Sequence, residues 1–115
     1  MFSIDETIVA ISSAAGPAAR SIVRLSGPEA IALAGGVFSE PLAEVPGFRA
    51  VPGTAAVGSP YPIAAPARAY LFRRPRSYTR QDVVELHLPG ETIASVMHAA
   101  LLAAGARQAE AGVWQ

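Results

Sequence analysis

Apolar and polar positions alternate along residues 7–12, with Ile8, Ala10 and Ser12 set against Thr7, Val9 and Ile11. Period two predicts a strand. A loop follows at Ala14-Ala15-Gly16-Pro17-Ala18-Ala19, and residues 21–25, Ser-Ile-Val-Arg-Leu, read as a second strand. So short a connection favours an antiparallel pair. Ser26-Gly27-Pro28-Glu29 then reads as a helix start. Ser26 and Glu29 have capping-box spacing, and Pro28 falls in the first turn, where a missing N–H is harmless. Gly35-Gly36 ends that short helix.

Six of the ten prolines lie in residues 39–66. Central strands and long helices are therefore not expected there. The Pro52-Gly53 step fits a type II turn between edge strands at 48–51 and 54–57, with a disordered linker as the competing reading. Residues 68–72 look like a strand, followed by an arginine-rich loop over 73–80. The clearest strand is 82–88, with Val84, Leu86 and Leu88 on one face and Glu85 and His87 on the other. Pro89-Gly90-Glu91 opens a second helix, whose Ile93, Val96, Met97, Ala100, Leu101 and Ala104 form one stripe. Gly105 closes it, and residues 106–110 begin another strand.

Two stretches resemble each other. Val23-Arg24-Leu25 runs through a turn into the first helix, and Val84-Glu85-Leu86 does the same into the second. The expected fold is α+β, a mixed sheet with two main helices and pseudo-duplicated strand–helix units.

Composition narrows the chemistry. The 115 residues fit one domain, and 51% hydrophobic against 16% charged residues favour a packed core over disorder. Without cysteine there are no disulfides, thiolate nucleophiles or Cys-based zinc sites. With no lysine there is no phosphate-binding P-loop, so these residues alone do not make a GTPase. Nine arginines balance nine acids, which gives no overall pull toward nucleic acid. An acidic start, Asp5-Glu6, and the lack of a long apolar run predict a cytoplasmic protein with no membrane segment.

Arg24 and Glu85 stand out because each is a charge between apolar strand neighbours. The plainer reading for either is a solvated sheet face. Their opposite signs and matching places raise another: a guanidinium fork and a carboxylate acceptor aimed into one site, or simply paired with each other. His87 shares the face of Glu85 and reads as a polar wall of that site, while His98 lies off the apolar stripe. The two histidines have no metal-ligand spacing. Arg73, Arg74, Arg76 and Arg80 with Tyr78 read as a solvated loop rather than a nucleic-acid surface. Thr92, Ser95, His98, Ala99 and Leu102 give the second helix an uncharged outer side, which points to a covering partner.

Asp5-Glu6-Thr7-Ile8-Val9-Ala10 with Ser21-Ile22-Val23-Arg24-Leu25-Ser26-Gly27 resembles the opening of the tRNA-modification GTPase family called TrmE or MnmE. Pro75-Arg76-Ser77-Tyr78-Thr79-Arg80-Gln81-Asp82-Val83-Val84-Glu85-Leu86-His87 is similar to that family's P-x-S-Y-T-G-E-D-V-V-E-I-H block. The stretch from Ala103 to Gly112 resembles its next segment. The resemblance spans nearly the whole chain. It implies that residues 1–115 form an amino-terminal folate-binding and dimerisation domain, with the helical and GTPase domains outside these residues. By the same resemblance the fold is like that of a folate-binding domain, and the ligand is a 5-formyl- or 5,10-methylene-tetrahydrofolate. Arg24 and Glu85 then carry the folate contacts. GTP belongs to the domain outside these residues. The expected partners are a second copy, an FAD-containing tRNA-modification protein and tRNA, the target being a wobble uridine.

The chain departs from the family pattern at Gly16-Pro17-Ala18-Ala19-Arg20-Ser21, at His87-Leu88-Pro89-Gly90-Glu91 and at Thr79-Arg80. These changes leave a second reading, an interaction module that keeps the fold without the folate. A free-standing one-carbon-transfer enzyme is third, for want of an acid/base pair.

Overall fold

A computed structural model of the chain describes residues 6–14, 20–46, 49–58, 62–73 and 81–110. Among them are six strands and two helices: β1 (Ile8–Ala14), β2 (Arg20–Ser26), α1 (Ala30–Gly35), β3 (Arg49–Val57), β4 (Ile63–Phe72), β5 (Val83–Leu88), α2 (Glu91–Ala103) and β6 (Arg107–Gln108). A 3-10 turn occupies Leu42–Glu44. One sheet contains all six strands in the order β3-β4-β5-β2-β1-β6. Neighbours are antiparallel except β1 and β6, which run parallel. The sheet is mixed and the fold α+β, as the pattern predicts.

Alternation along the strands sets the two faces of the sheet. Val9, Val23, Leu25, Ala69, Leu71, Val84, Leu86 and Leu88 are buried on one of them. Ala30 and Ala34 of α1 and Ile93, Ala94, Val96, Met97 and Leu101 of α2 complete that core. Each large aliphatic side chain buried there contributes roughly 1.5–3 kcal/mol. The stripe expected on α2 holds through Leu101, while Ala104 is exposed just past the helix end.

The duplication is visible in the strand order. The halves β1-β2-α1-β3 and β4-β5-α2-β6 meet at the central β2–β5 pair. In both, the turn from strand into helix passes through a glycine with φ near +140°, Gly27 at 140° and Gly90 at 138°, a backbone region that L side chains rarely adopt. The halves part at their last strands: β6 runs parallel to β1, but β3 runs antiparallel to β4.

Two local expectations are corrected. Ser26 does not cap α1, because it is still inside β2, with its hydroxyl 3.5 Å from Gln81 Oε1. The Glu29 N–H instead donates to Thr7 Oγ1 at 2.8 Å, so the cap comes from the segment before β1. Thr7 is buried and Val is nearly isosteric, so Thr7→Val removes the acceptor with little change in packing. A loss of about 1 kcal/mol is expected, read as a lower urea midpoint at unchanged slope.

Nor do Pro52-Gly53 make a turn. They lie inside β3, an unbroken strand from Arg49 to Val57 at the sheet edge. The Ser39 N–H donates to Thr54 O, the Thr54 N–H to Ser39 Oγ, and the Ala56 N–H to Val37 O. Residues 54 and 56 thus aim their peptide groups outward. By alternation so does Pro52, whose absent N–H costs no ladder bond. Pro66 is the register partner of Thr54, and its nitrogen points away from β3. On that side β5 has already ended, its pairing with β4 stopping at Arg68. Gly53 is small for a separate reason. A Cβ there would lie 2.7 Å from Phe38 Cζ, and Phe38 is buried beside the strand.

Candidate functional site

The face of the sheet opposite the helices carries the charged side chains singled out above. Arg24 on β2 and Glu85 on β5 are direct register partners, and Tyr70 on β4 is opposite Glu85 on the other side. Arg24 Nε donates to Glu85 Oε2 at 2.8 Å, and Arg24 Nη2 stands 2.6 Å from the same oxygen. Their side chains are 29% and 14% exposed, so the pair is half-sheltered yet reachable from solvent. Opposite charges facing each other across an antiparallel pair are favourable.

Two residues along β5, His87 Nε2 lies 3.1 Å from Glu85 Oε1. A carboxylate only accepts, so this contact places a proton on Nε2. In the neutral ring Nδ1 is then an acceptor; it is buried without a partner among the described residues. The Tyr70 ring sits 4.3 Å from the His87 ring at a tilt of 49°. Arg24, Glu85, His87 and Tyr70 form one continuous cluster of donors, acceptors and flat rings. It can grip a planar heteroaromatic group with an N–H edge, the carboxylate accepting from that edge and the guanidinium donating to a ring carbonyl or nitrogen. An ionised carboxylate has about four lone-pair directions, so the contacts from Arg24 and His87 leave acceptor capacity over.

The sequence placed Glu85 and His87 on a common face, and the structure adds that they touch. It gave no sign of Tyr70, whose part depends on the β4–β5 register. Among the described residues no cluster of three or more His, Asp or Glu is arranged for a metal ion. His98 stays apart on α2, with Nε2 buried and without a partner among the described residues. Arg73 is taken up structurally: its guanidinium donates to the carbonyls of Leu42, Ala43 and Val45, tying the end of β4 to the 3-10 turn. Arg74, Arg76, Tyr78 and Arg80 lie outside the described residues, as does the loop Ala15-Gly16-Pro17-Ala18-Ala19. Among the described residues no helix is long and apolar enough to cross a membrane.

The profile of the family described as GTP-binding protein TrmE N-terminus matches residues 7–114. The chain belongs to this family. Its relatives agree with the TrmE assignment. The tRNA modification GTPase MnmE of Geobacter sulfurreducens is 40% identical over 111 residues, covering 95% of this chain and 24% of that protein. The protein of the same description from Shouchella clausii is 38% identical over 110 residues, with 93% and 24% covered. That of Chlamydia trachomatis serovar A is 37% identical over 109 residues, with 94% and 24% covered. This TrmE amino-terminal domain thus spans about a quarter of the length of the curated relatives it matches.

Proposed function

We propose that this domain binds a reduced folate, a 5-formyl- or 5,10-methylene-tetrahydrofolate, and pairs with a second copy of itself. It would thereby present a one-carbon donor within a tRNA wobble-uridine modification GTPase. The observation that carries this reading is the Arg24–Glu85 pair, two complementary groups side by side on the sheet face opposite the helices and partly open to solvent. Glu85 accepts from the pterin amide and amino edge, Arg24 clamps the ring from the other side, and Tyr70 and His87 give it flat company. The GTPase activity, the FAD-containing partner and the tRNA belong to the longer protein that the relatives represent. Pairing is supported by α2, whose Thr92, Ser95, Ala99 and Leu102 form an exposed and uncharged outer side.

A second reading has its own observation. Both oxygens of Glu85 already have protein partners, Arg24 on one and His87 on the other. A self-satisfied pair of this kind also suits an interaction module that has lost the ligand. Isothermal titration with 5-formyltetrahydrofolate separates the two. Binding heat is expected for the unaltered chain, with affinity at least about tenfold weaker in Arg24→Ala and in Glu85→Ala, since each removes a charge-assisted hydrogen bond. A silent titration of the folded chain, together with a dimer in sedimentation equilibrium, would favour the second reading.

A further inference from the structure

Beyond His87 the sheet has a gap. β4 continues through residues 63–67, but β5 turns away after Leu88 into Pro89 and Gly90. The opening, a hollow of about 550 Å³, is walled by Arg20 at the start of β2, by Arg68, Tyr70 and His87, and by Pro52 and Pro66 of the protruding hairpin. Arg20 and Arg68 reach it from different strands. Both are exposed, and neither has a hydrogen-bond or ion-pair partner among the described residues. Among the described residues no Asp or Glu lines the hollow. Two guanidiniums around one cavity, with no partner and no acid beside them among the described residues, make a site for carboxylates.

We infer that this hollow binds the glutamate tail of the folate and favours tails extended by further γ-linked glutamates. The inference rests on the folate reading above and extends it to a different set of residues. The hollow is continuous with the Arg24–Glu85 cluster through His87, which bonds Glu85 and also forms part of the wall. Arg20 lies four residues before Arg24 on the same strand, about 13 Å away at ~3.3 Å per residue. A folate carries its carboxylates at the far end of a rigid aromatic spacer, so a ring held at Glu85 directs the tail across Tyr70 and His87 toward both arginines. Each added glutamate brings one more negative charge into their field.

The test compares 5-formyltetrahydrofolate with its triglutamate form by titration calorimetry on the whole chain at low salt. The triglutamate is expected to bind about tenfold more tightly, because an exposed Arg–carboxylate pair is individually weak and two act together. That ratio should shrink as salt is added. In Arg20→Gln/Arg68→Gln it should fall below about twofold, whereas Arg49→Gln, an exposed arginine outside the hollow, leaves it as it was. Equal affinities for the two forms, or a ratio that survives the double substitution, overturn the tail site while leaving folate binding in place. Heat from neither form overturns the folate reading and the tail site together.

Discussion

Gly27→Ala is expected to remove on the order of 3–5 kcal/mol of stability. Gly27 has φ +140°, and a Cβ built there would lie 2.6 Å from Thr7 Cα and 2.7 Å from Glu6 O. Those are backbone atoms, which cannot swing aside as the tip of a side chain can. The segment before β1 crosses Gly27 at this point, and the crossing delivers the Thr7 hydroxyl to the Glu29 N–H. The Gly27 N–H meanwhile donates to Asp82 O at 3.0 Å, fixing the entry to β5. One methyl therefore strains the turn, unseats a helix cap and disturbs the two central strands. Thermal unfolding should show a midpoint lowered by at least about 12 °C. A drop of only a few degrees would mean that the crossing is looser than these distances. Gly27 ends the stretch Val23-Arg24-Leu25-Ser26-Gly27 that carries the family resemblance. The fold itself accounts for this glycine.

Leu86→Ala comes next, with an expected loss of about 3 kcal/mol. Leu86 is fully buried on β5, with Val23 of β2 and Ala69 of β4 beside it in register. Both of these neighbours are rigid or small, so neither can swing in to refill the vacated space. Glu85 and His87 flank Leu86 in sequence and point to the opposite face. The substitution should therefore lower the urea midpoint while folate titration of the remaining folded protein still gives heat. Loss of binding at full folding would mean that the site senses the core, contrary to this division of faces.

Much of the architecture was legible because the alternation in β2 and β5 is strict. Val23 and Leu25 against Arg24, and Val84, Leu86 and Leu88 against Glu85 and His87, fix the faces without knowledge of the neighbours. α2 was legible for the same reason, through its stripe. Two expectations failed where tertiary contacts override local signals. Ser26 and Glu29 have the spacing of a capping box, but the strand keeps Ser26 and a remote threonine does the capping. Pro52 and Gly53 have turn chemistry, but an outward-facing edge position accepts the proline, and the approach of Phe38 accounts for the glycine. For the site, the strand pattern proposed that Arg24 and Glu85 share a face, and the register makes them adjacent. Tyr70 and the hollow between Arg20 and Arg68 were out of reach. They arise from where β4 lies and where β5 stops, which is a property of the sheet.

The outer margin of β3 has a bearing on how two such domains can associate. Pro52 offers no donor there, and the peptide groups of Thr54 and Ala56 are already engaged by Val37 and Ser39. Along residues 54–56 a neighbouring molecule therefore finds the outward N–H groups already taken, which hinders addition of its own strand there. Self-recognition at this stretch of the hairpin is thereby steered toward side chains, which ties its specificity to surface composition.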